Sequence, residues 1–325
     1  VIGTVTAVRR VLYRLGIARQ ARLPRPVVSV GNLAAGGTGK TPHVQFLARF
    51  LAGRGFAVAI LSRGFGRSTR GARWVSRGGG PLLTAEEAGD EPVLLASSLP
   101  GVAVLVGESR AAAGRLCLET EGADLFLLDD GFQHLSLGRD LDILLVDGRE
   151  PGRLTLPFGP LREGPSAARF ADALVVTKCR DEEAGRSVAS RFAFPRGRPV
   201  AFSRLVPSGF VARDGSPVHL PPGQEVVAFS GIAHNEDFAA ALAEAGLRVR
   251  RFFPFRDHRR YSPRDLAAIA AAADGLPVVT TEKDLVRLPP ELPFCPRALR
   301  VRVEFLAGWE DLAALLLERV GGGPG

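Results

Sequence analysis

Residues 27–42 read V-V-S-V-G-N-L-A-A-G-G-T-G-K-T-P. Val27, Val28 and Val30 are β-branched and apolar, as a strand covered on both faces requires. Gly36, Gly37 and Gly39 then supply positions where the backbone takes positive φ and approaches a ligand with no Cβ in the way. Lys40 and Thr41 follow at once, and Gln45, Leu47 and Ala48 continue at helical spacing. Strand, glycine turn and helix start, in that order, are the parts of a phosphate-binding loop. Residues Gly36, Gly37, Thr38 and Gly39 would surround the phosphates, Lys40 would meet the β/γ oxygens, and the Thr41 hydroxyl would meet Mg²⁺. The match to G-x-x-x-x-G-K-[ST] departs at its first glycine, whose slot holds Ala34. A ligand-free glycine turn is the competing account, and the agreement of strand, glycines, lysine and threonine weighs against it. A nucleoside triphosphate site is therefore the starting expectation.

At 325 residues the chain is long enough for two ordinary domains and a sizeable core. No apolar run approaches the ~18 residues of a membrane span, and the start shows no secretory signal with its small-residue cleavage site. The sequence has no Met, so an initiator and a short upstream piece are expected to be missing. Cys117, Cys179 and Cys295 are widely spaced and in no metal-ligand pattern, which fits free thiols in a reducing compartment. The formal charge of +8 raises nucleic acid or an anionic membrane as a partner. The basic residues are scattered, with no aromatic-interleaved patch, so no nucleic-acid partner is expected. Nearly all are Arg; only Lys40, Lys178 and Lys283 are lysine, and each is expected to have a local reason.

Residues 1–25 carry Val1, Val5, Val8, Val11, Leu12 and Leu15 at three- and four-residue spacing, with Arg9, Arg10, Arg14 and Arg19 mostly off that stripe. This is a basic amphipathic helix, which either packs on its own domain or lies in a membrane interface. Across 26–194, strand-like runs at 27–30, 58–61, 102–106, 125–128, 143–146 and 174–176 alternate with helical stretches such as 109–119. The pattern predicts an α/β core: a P-loop NTPase-like, mostly parallel sheet with helices on both faces, its ligands beyond the carboxyl ends of the strands. Residues 195–225 read as a linker or β-ribbon, 226–320 as a smaller α/β domain, and 321–325 as a disordered tail.

Chemistry is expected just after the strands. L-F-L-L-D-D-G-F-Q-H ends an apolar strand on Asp129 and Asp130, as in a Walker B element that holds Mg²⁺, although adjacent acids also simply begin turns. Gln133 and His134 follow closely enough to meet the same site, whereas Asp147, after another apolar run, reads as a decoy. In A-G-D-E-P, Pro92 is expected to keep Glu91 extended and the Asp90 and Glu91 carboxylates apart, one to accept a proton and one to bind metal. A solvated helix start is the bland alternative. His258, in F-P-F-R-D-H-R-R-Y, is either a surface histidine or one that orients a carboxylate base or contacts an anionic substrate. Arg63 and Arg67 in S-R-G-F-G-R, Arg110, and Arg162 in L-P-F-G-P-L-R-E are candidates for contact with an anionic acceptor through their fork geometry. T-T-E-K-D at 280–284 suits a nucleotide or interdomain role, or a capped helix with an acidic first turn.

Taken in order, G-N-L-A-A-G-G-T-G-K-T-P, L-S-R-G-F-G, A-G-D-E-P, D-D-G-F-Q-H, L-P-F-G-P-L-R-E, D-H-x-x-Y and T-E-K-D resemble the tetraacyldisaccharide 4'-kinase family of lipid A biosynthesis. The resemblance implies transfer of the γ-phosphate of ATP, with Mg²⁺, to the 4'-hydroxyl of an acylated glucosamine disaccharide 1-phosphate, giving lipid IVA. It implies a peripheral protein on the cytoplasmic face of the inner membrane, with a P-loop core, a smaller second domain on a two-stranded linker, and an N-terminal helix that meets the lipid. By motif position, Lys40 and Thr41 carry over as phosphate and Mg²⁺ ligands, Asp90 as the catalytic base, and His258 as its partner from the second domain. Glu91, Asp129 and Asp130 carry over as Mg²⁺ or water-positioning groups. Phe65 stands where the family has Tyr, and Phe158 replaces a small residue. The alternative is a P-loop NTPase that hydrolyses nucleotide to drive a partner or deliver a metal.

Overall fold

A computed structural model of the chain describes residues 6–321 apart from 7, 8, 14, 16, 35, 150–154 and 157. Val1, Val5, Val8, Arg14 and all of the expected tail at 321–325 except Gly321 lie outside the described residues. The chain forms two compact units, Val1–Leu205 with Val303–Gly325, and Val206–Arg302.

The first unit contains β1 (Val27–Asn32), α1 (Lys40–Ala52), β2 (Val58–Ser62), β3 (Arg73–Arg77), α2 (Ala85–Ala88), α3 (Asp90–Ser98), β4 (Ala103–Val106), α4 (Arg110–Thr120), β5 (Leu125–Asp129), β6 (Leu141–Asp147), β7 (Ala173–Thr177), α5 (Glu182–Ala189) and the start of β8 (Val200–Val211). Its strands run in the order β8-β7-β6-β1-β5-β2-β4-β3. Neighbours are parallel except β3, which pairs antiparallel with β4. Every residue of β1, β2 and β5 is buried, which is why these segments read as continuous apolar runs. β3 escapes such a reading: R-W-V-S-R is an edge strand whose exposed arginines flank a buried Val75 and Ser76.

The second unit contains the rest of β8, β9 (Pro217–Val218), β10 (Glu225–Ser230), α6 (Asn235–Glu244), β11 (Arg248–Pro254), α7 (Pro263–Ala273), β12 (Val278–Thr281), α8 (Glu282–Leu285) and the start of β13 (Pro296–Ala307). Its order β11-β10-β12-β13 is parallel, and β9 returns antiparallel on β8. After β13 comes α9 (Trp309–Val320), which packs in the first unit. Trp309 lies 4.8 Å from both Phe46 and Phe50 on α1, and Phe305 stacks on it at 4.9 Å. A boundary that keeps everything to residue 320 in the smaller domain thus differs from the observed packing. The aromatic face of α1 takes the last helix, a long-range match invisible to local pattern.

The N-terminal segment is helical at 9–13. Arg10 is not part of a solvated basic face. It is buried, bidentate to buried Glu163 at 2.7 and 2.9 Å, and its guanidinium lies 4.3 Å over the Phe132 ring. The segment nevertheless leaves Val11, Leu15 and Ile17 52%, 67% and 67% exposed.

Gly31, within β1, has no space for a side chain: a Cβ there would sit 2.5 Å from the Phe132 Cβ. The loop after β5 is thereby pressed onto the end of β1. Gly31→Ala should lower folding stability by about 1–3 kcal/mol through overpacking, read as a drop in urea midpoint at unchanged slope.

Candidate active site

The phosphate loop leaves β1 and enters α1 through Gly36 (φ 126°) and Gly39 (φ 80°), both in the region that favours glycine. Gly39 caps α1 without any side-chain hydrogen bond, and the first turn holds no acid, so the helix presents its first N–H groups and its positive end to an anion. Lys40 and Thr41 are its first two residues. Thr38 is pinned from two strands: Asn32 Nδ2 donates to its Oγ1 at 2.7 Å, and Thr177 Oγ1 donates to its carbonyl at 2.9 Å. His43, which carries no readable motif, completes the support. Its Nδ1 donates to the Gly39 carbonyl at 2.8 Å and its Nε2 accepts from Ser203 at 2.9 Å, while burial pushes its pKa down to about 4.

The acids assemble opposite Lys40. Asp129 ends β5 fully buried and accepts from Ser62 Oγ at 3.1 Å. Burial first, then the nearby charges of Glu91 and Asp130, push its pKa up to about 7 against the pull of Lys40. Asp130 has the opposite fate. Burial works to raise it, but Lys40 at 3.6 Å and Arg162 at 2.7 Å prevail and hold it below the ordinary carboxylate range. Asp130 takes φ 56° to make this turn, and its Oδ1 is buried without a hydrogen bond.

Asp90 and Glu91 are the first two residues of α3, so Pro92 does not hold Glu91 extended as expected. Proline in a first turn sacrifices no helical hydrogen bond and fits the helix from its third position. Both carboxylates therefore lie at a helix N-terminus, where negative charge is favoured. The A-G-D-E-P loop is placed by glycines. A Cβ on Gly89 would meet Phe65 O at 3.0 Å, and one on Gly64 would meet Ala88 O at 2.5 Å, so this loop and S-R-G-F-G touch backbone to backbone.

Arg110, the first residue of α4, is buried with its Nε unpartnered, and its pKa falls to about 10 through burial despite Asp129. Arg63 is exposed. His134 is held neutral at about pKa 4 by burial and by the charges of Arg110, Arg139 and Arg63. Arg67 is spent structurally on Glu108 at 2.6 Å. Gln133 is largely committed inward, donating to Asn32 O at 2.8 Å and to Glu163 at 2.9 Å. Asp147 pairs with Lys178 at 3.7 Å and with Arg149 at 2.8 Å, which gives that lysine its local reason.

In the second unit, D-H-x-x-Y and T-E-K-D form one network. Buried Asp284 accepts from Tyr261 OH at 2.8 Å and from Thr281 Oγ1 at 2.6 Å, and pairs with Arg287 at 3.0 Å. Thr281 caps α8, as the capped-helix reading of 280–284 has it. Lys283 reaches Asp257 at 3.4 Å, and Arg287 lies 3.3 Å from His258 Nδ1. That nitrogen accepts, which leaves Nε2 to carry the proton. His258 itself sits at φ 57°.

A family model described as "Tetraacyldisaccharide-1-P 4'-kinase" matches residues 1–321. The chain belongs to this family. The tetraacyldisaccharide 4'-kinase of Anaeromyxobacter dehalogenans (strain 2CP-C) is 45% identical over 326 residues, 95% of this chain and 86% of that relative. The enzyme of the same name from Geobacter sulfurreducens is 45% identical over 294 residues, 88% of this chain and 81% of that relative. A crystal structure of LpxK from Aquifex aeolicus in complex with ATP has a TM-score of 0.82 at 35% identity, covering 98% of this chain and 96% of that one.

Phe65 and Phe158, the two positions expected to depart from the family pattern, are 71% and 81% exposed.

The raised Asp129 carries a stability consequence with a definite sign. Between its ordinary value of 3.8 and about 7 the folded chain holds a proton that the unfolded chain has released. Stability therefore falls as pH rises across that window and stays lower above it. In divalent-free buffer Asp129→Asn should have a higher urea midpoint than wild type at pH 8, the difference closing toward pH 4. An equal midpoint at pH 8 would contradict the burial account.

Proposed function

We infer that this protein is an ATP-dependent kinase that phosphorylates the 4'-hydroxyl of tetraacyldisaccharide 1-phosphate, forming lipid IVA in lipid A biosynthesis. The observation that carries this conclusion is family membership across 1–321, joined to a phosphate loop whose lysine faces a carboxylate cluster. The relatives found bear the kinase's name, and none supports the alternative of a nucleotide-driven NTPase.

The division of labour follows from charge and position. The free N–H groups at the start of α1 and Lys40 would bind and neutralise the transferring phosphates. Asp90, at the helix N-terminus beside Glu91, would accept the proton of the attacking hydroxyl. Arg63, Arg110, His134 and Arg162 would meet the acceptor, His134 as a neutral hydrogen-bonding group amid arginines. His258 would assist turnover from the second unit. Among the described residues no three His, Cys, Asp or Glu side chains form a metal-binding group. Mg²⁺ in kinases needs fewer, one or two carboxylates completed by phosphates and water. Asp129, crowded by Glu91 and Asp130, is a donor whose raised pKa a cation would relieve, so Thr41, Glu91, Asp129 and Asp130 fit as the set that would hold it. When bound, Mg²⁺ would supply positive charge against the transferring phosphates.

Among the described residues no helix is long and apolar enough to cross a membrane. We propose peripheral attachment to the cytoplasmic face of the inner membrane, where the acyl chains of the acceptor reside. Exposed Val11, Leu15 and Ile17 support it.

Labelled ATP with the acylated disaccharide 1-phosphate should give a doubly phosphorylated lipid, with slow ATP hydrolysis in its absence. Rapid acceptor-independent hydrolysis would favour the NTPase. Lys40→Ala and Asp90→Ala should each lower turnover at least about 100-fold with the fold retained by circular dichroism. Near wild-type turnover in Asp90→Ala would remove it as the base.

A further inference from the structure

A cleft of about 240 Å³ opens in the first unit, and its lining includes Arg10, Arg139, Arg169 and Arg198 against one acid, Asp172. It is separate from the carboxylate cluster. Asp172 and Arg198 lie just before β7 and β8, three and four strands along the sheet from β5. At ~4.8 Å per strand that is about 14 and 19 Å from Asp129. The two residues also lie at the amino ends of their strands, whereas the phosphate loop leaves the carboxyl end of β1.

The four guanidinium groups are not equivalent. Arg10 is neutralised by Glu163, and Arg139 by Asp142 at 2.9 Å. Arg198 donates to the Ala171 carbonyl and holds only a long, half-exposed ion pair with Asp172 at 3.9 Å. Arg169 is exposed, 4.8 Å over the Phe170 ring, with no acid in ion-pair reach among the described residues. Arg169 and Arg198 are thus the groups able to turn onto a ligand, and two planar forks converging on one cleft suit phosphate oxygens. The rim adds a second property. Arg10 and Tyr13 line the cleft from the segment whose Val11, Leu15 and Ile17 stand exposed. A cationic pocket beside unburied aliphatic side chains matches a molecule with an anionic head and an apolar tail.

We propose that this cleft binds the phosphate of an anionic lipid, with Arg169 and Arg198 as its ligands and Val11, Leu15 and Ile17 in the acyl boundary. The inference rests on the membrane-surface reading and goes beyond it: the site performs no chemistry and orients the protein on its bilayer. A lipid phosphate has two sources here, a glycerophospholipid headgroup or the 1-phosphate of the acceptor, and the headgroup is expected.

The test sediments the full chain with phosphatidylcholine vesicles with and without phosphatidylglycerol, and separately measures the acceptor KM in neutral detergent. Arg169→Ala/Arg198→Ala should bind phosphatidylglycerol vesicles about thirty-fold more weakly, the weight of two arginines at an anionic surface. Arg115→Ala/Arg180→Ala, which removes the same charge from exposed positions elsewhere in the unit, should change it little. Arg169→Glu, at an exposed residue and with the fold checked by circular dichroism, should also lose binding. A raised acceptor KM in detergent with vesicle binding retained keeps the site and assigns the phosphate to the acceptor. The proposal is overturned if both readouts are unchanged, if the control pair weakens binding equally, or if wild type ignores phosphatidylglycerol and the KM is unmoved. Absence of kinase turnover would strike the functional reading alone, since the vesicle readout needs none.

Discussion

A carboxylate at the end of a strand covered on both faces has lost its water, and the arrangement around β5 is a response to that loss. Asp129 keeps one short side-chain partner, Ser62, and shares its surroundings with the charges of Glu91 and Asp130. The cations nearby are distributed unequally. Lys40 and Arg162 both commit to Asp130, so one member of the adjacent pair is firmly ionised while the other titrates near neutrality. Neighbouring groups with diverging proton affinities are a mark of sites that handle charge. A phosphorylated ligand that drew Lys40 away would leave an acidic pocket in need of a cation. One cluster would then give the kinase a reason to take a divalent metal together with its triphosphate.

Close backbone approach makes that cluster possible. Gly31 lies against Phe132, Gly131 against Ser29, and Gly64 against Gly89, each with no space for a methyl group or nearly none. These contacts press the loop after β5 onto β1, and the loop after β2 onto the start of α3. The glycines that make the motifs conspicuous thus have two different uses. Those at 36 and 39 free the backbone to turn toward phosphate, whereas those at 31, 64, 89 and 131 allow loops to abut.

Much of this was legible before any coordinates. Continuous β-branched runs mark β1, β2 and β5 because both faces of a parallel strand are buried, and the acids at strand ends fall where such sheets place ligands. β3 was illegible because an edge strand needs no apolar run, and the return of α9 to the first unit because its aromatic partners on α1 are distant in sequence. Pro92 was misread because the residue before a proline is usually extended, whereas a first helical turn escapes that constraint. His43 and Glu163 were not singled out because their supporting partners are distant in sequence: Ser203 for His43, and Arg10 and Gln133 for Glu163. Arginines were the least readable class. In a chain so rich in them, Arg10 and Arg67 serve the fold, Arg110 and Arg162 the cluster, and only partners in space separate these roles.

Arg10 also shows why the N-terminal segment should not be regarded as a detachable anchor. Its bidentate partner Glu163 accepts a further hydrogen bond from Gln133, whose amide also donates to the Asn32 carbonyl, and the Asn32 side chain holds Thr38 of the phosphate loop. A buried ion pair contributes little net stability over an apolar pair, but losing one partner strands the other charge at a cost of about 3–5 kcal/mol. Removing residue 10 would therefore leave Glu163 uncompensated two hydrogen bonds from the backbone that carries β1 into the nucleotide loop. The same residue lines the basic cleft on its other side. The segment that exposes Val11, Leu15 and Ile17 is, through one guanidinium group, a wall of the cleft and a support of the nucleotide loop.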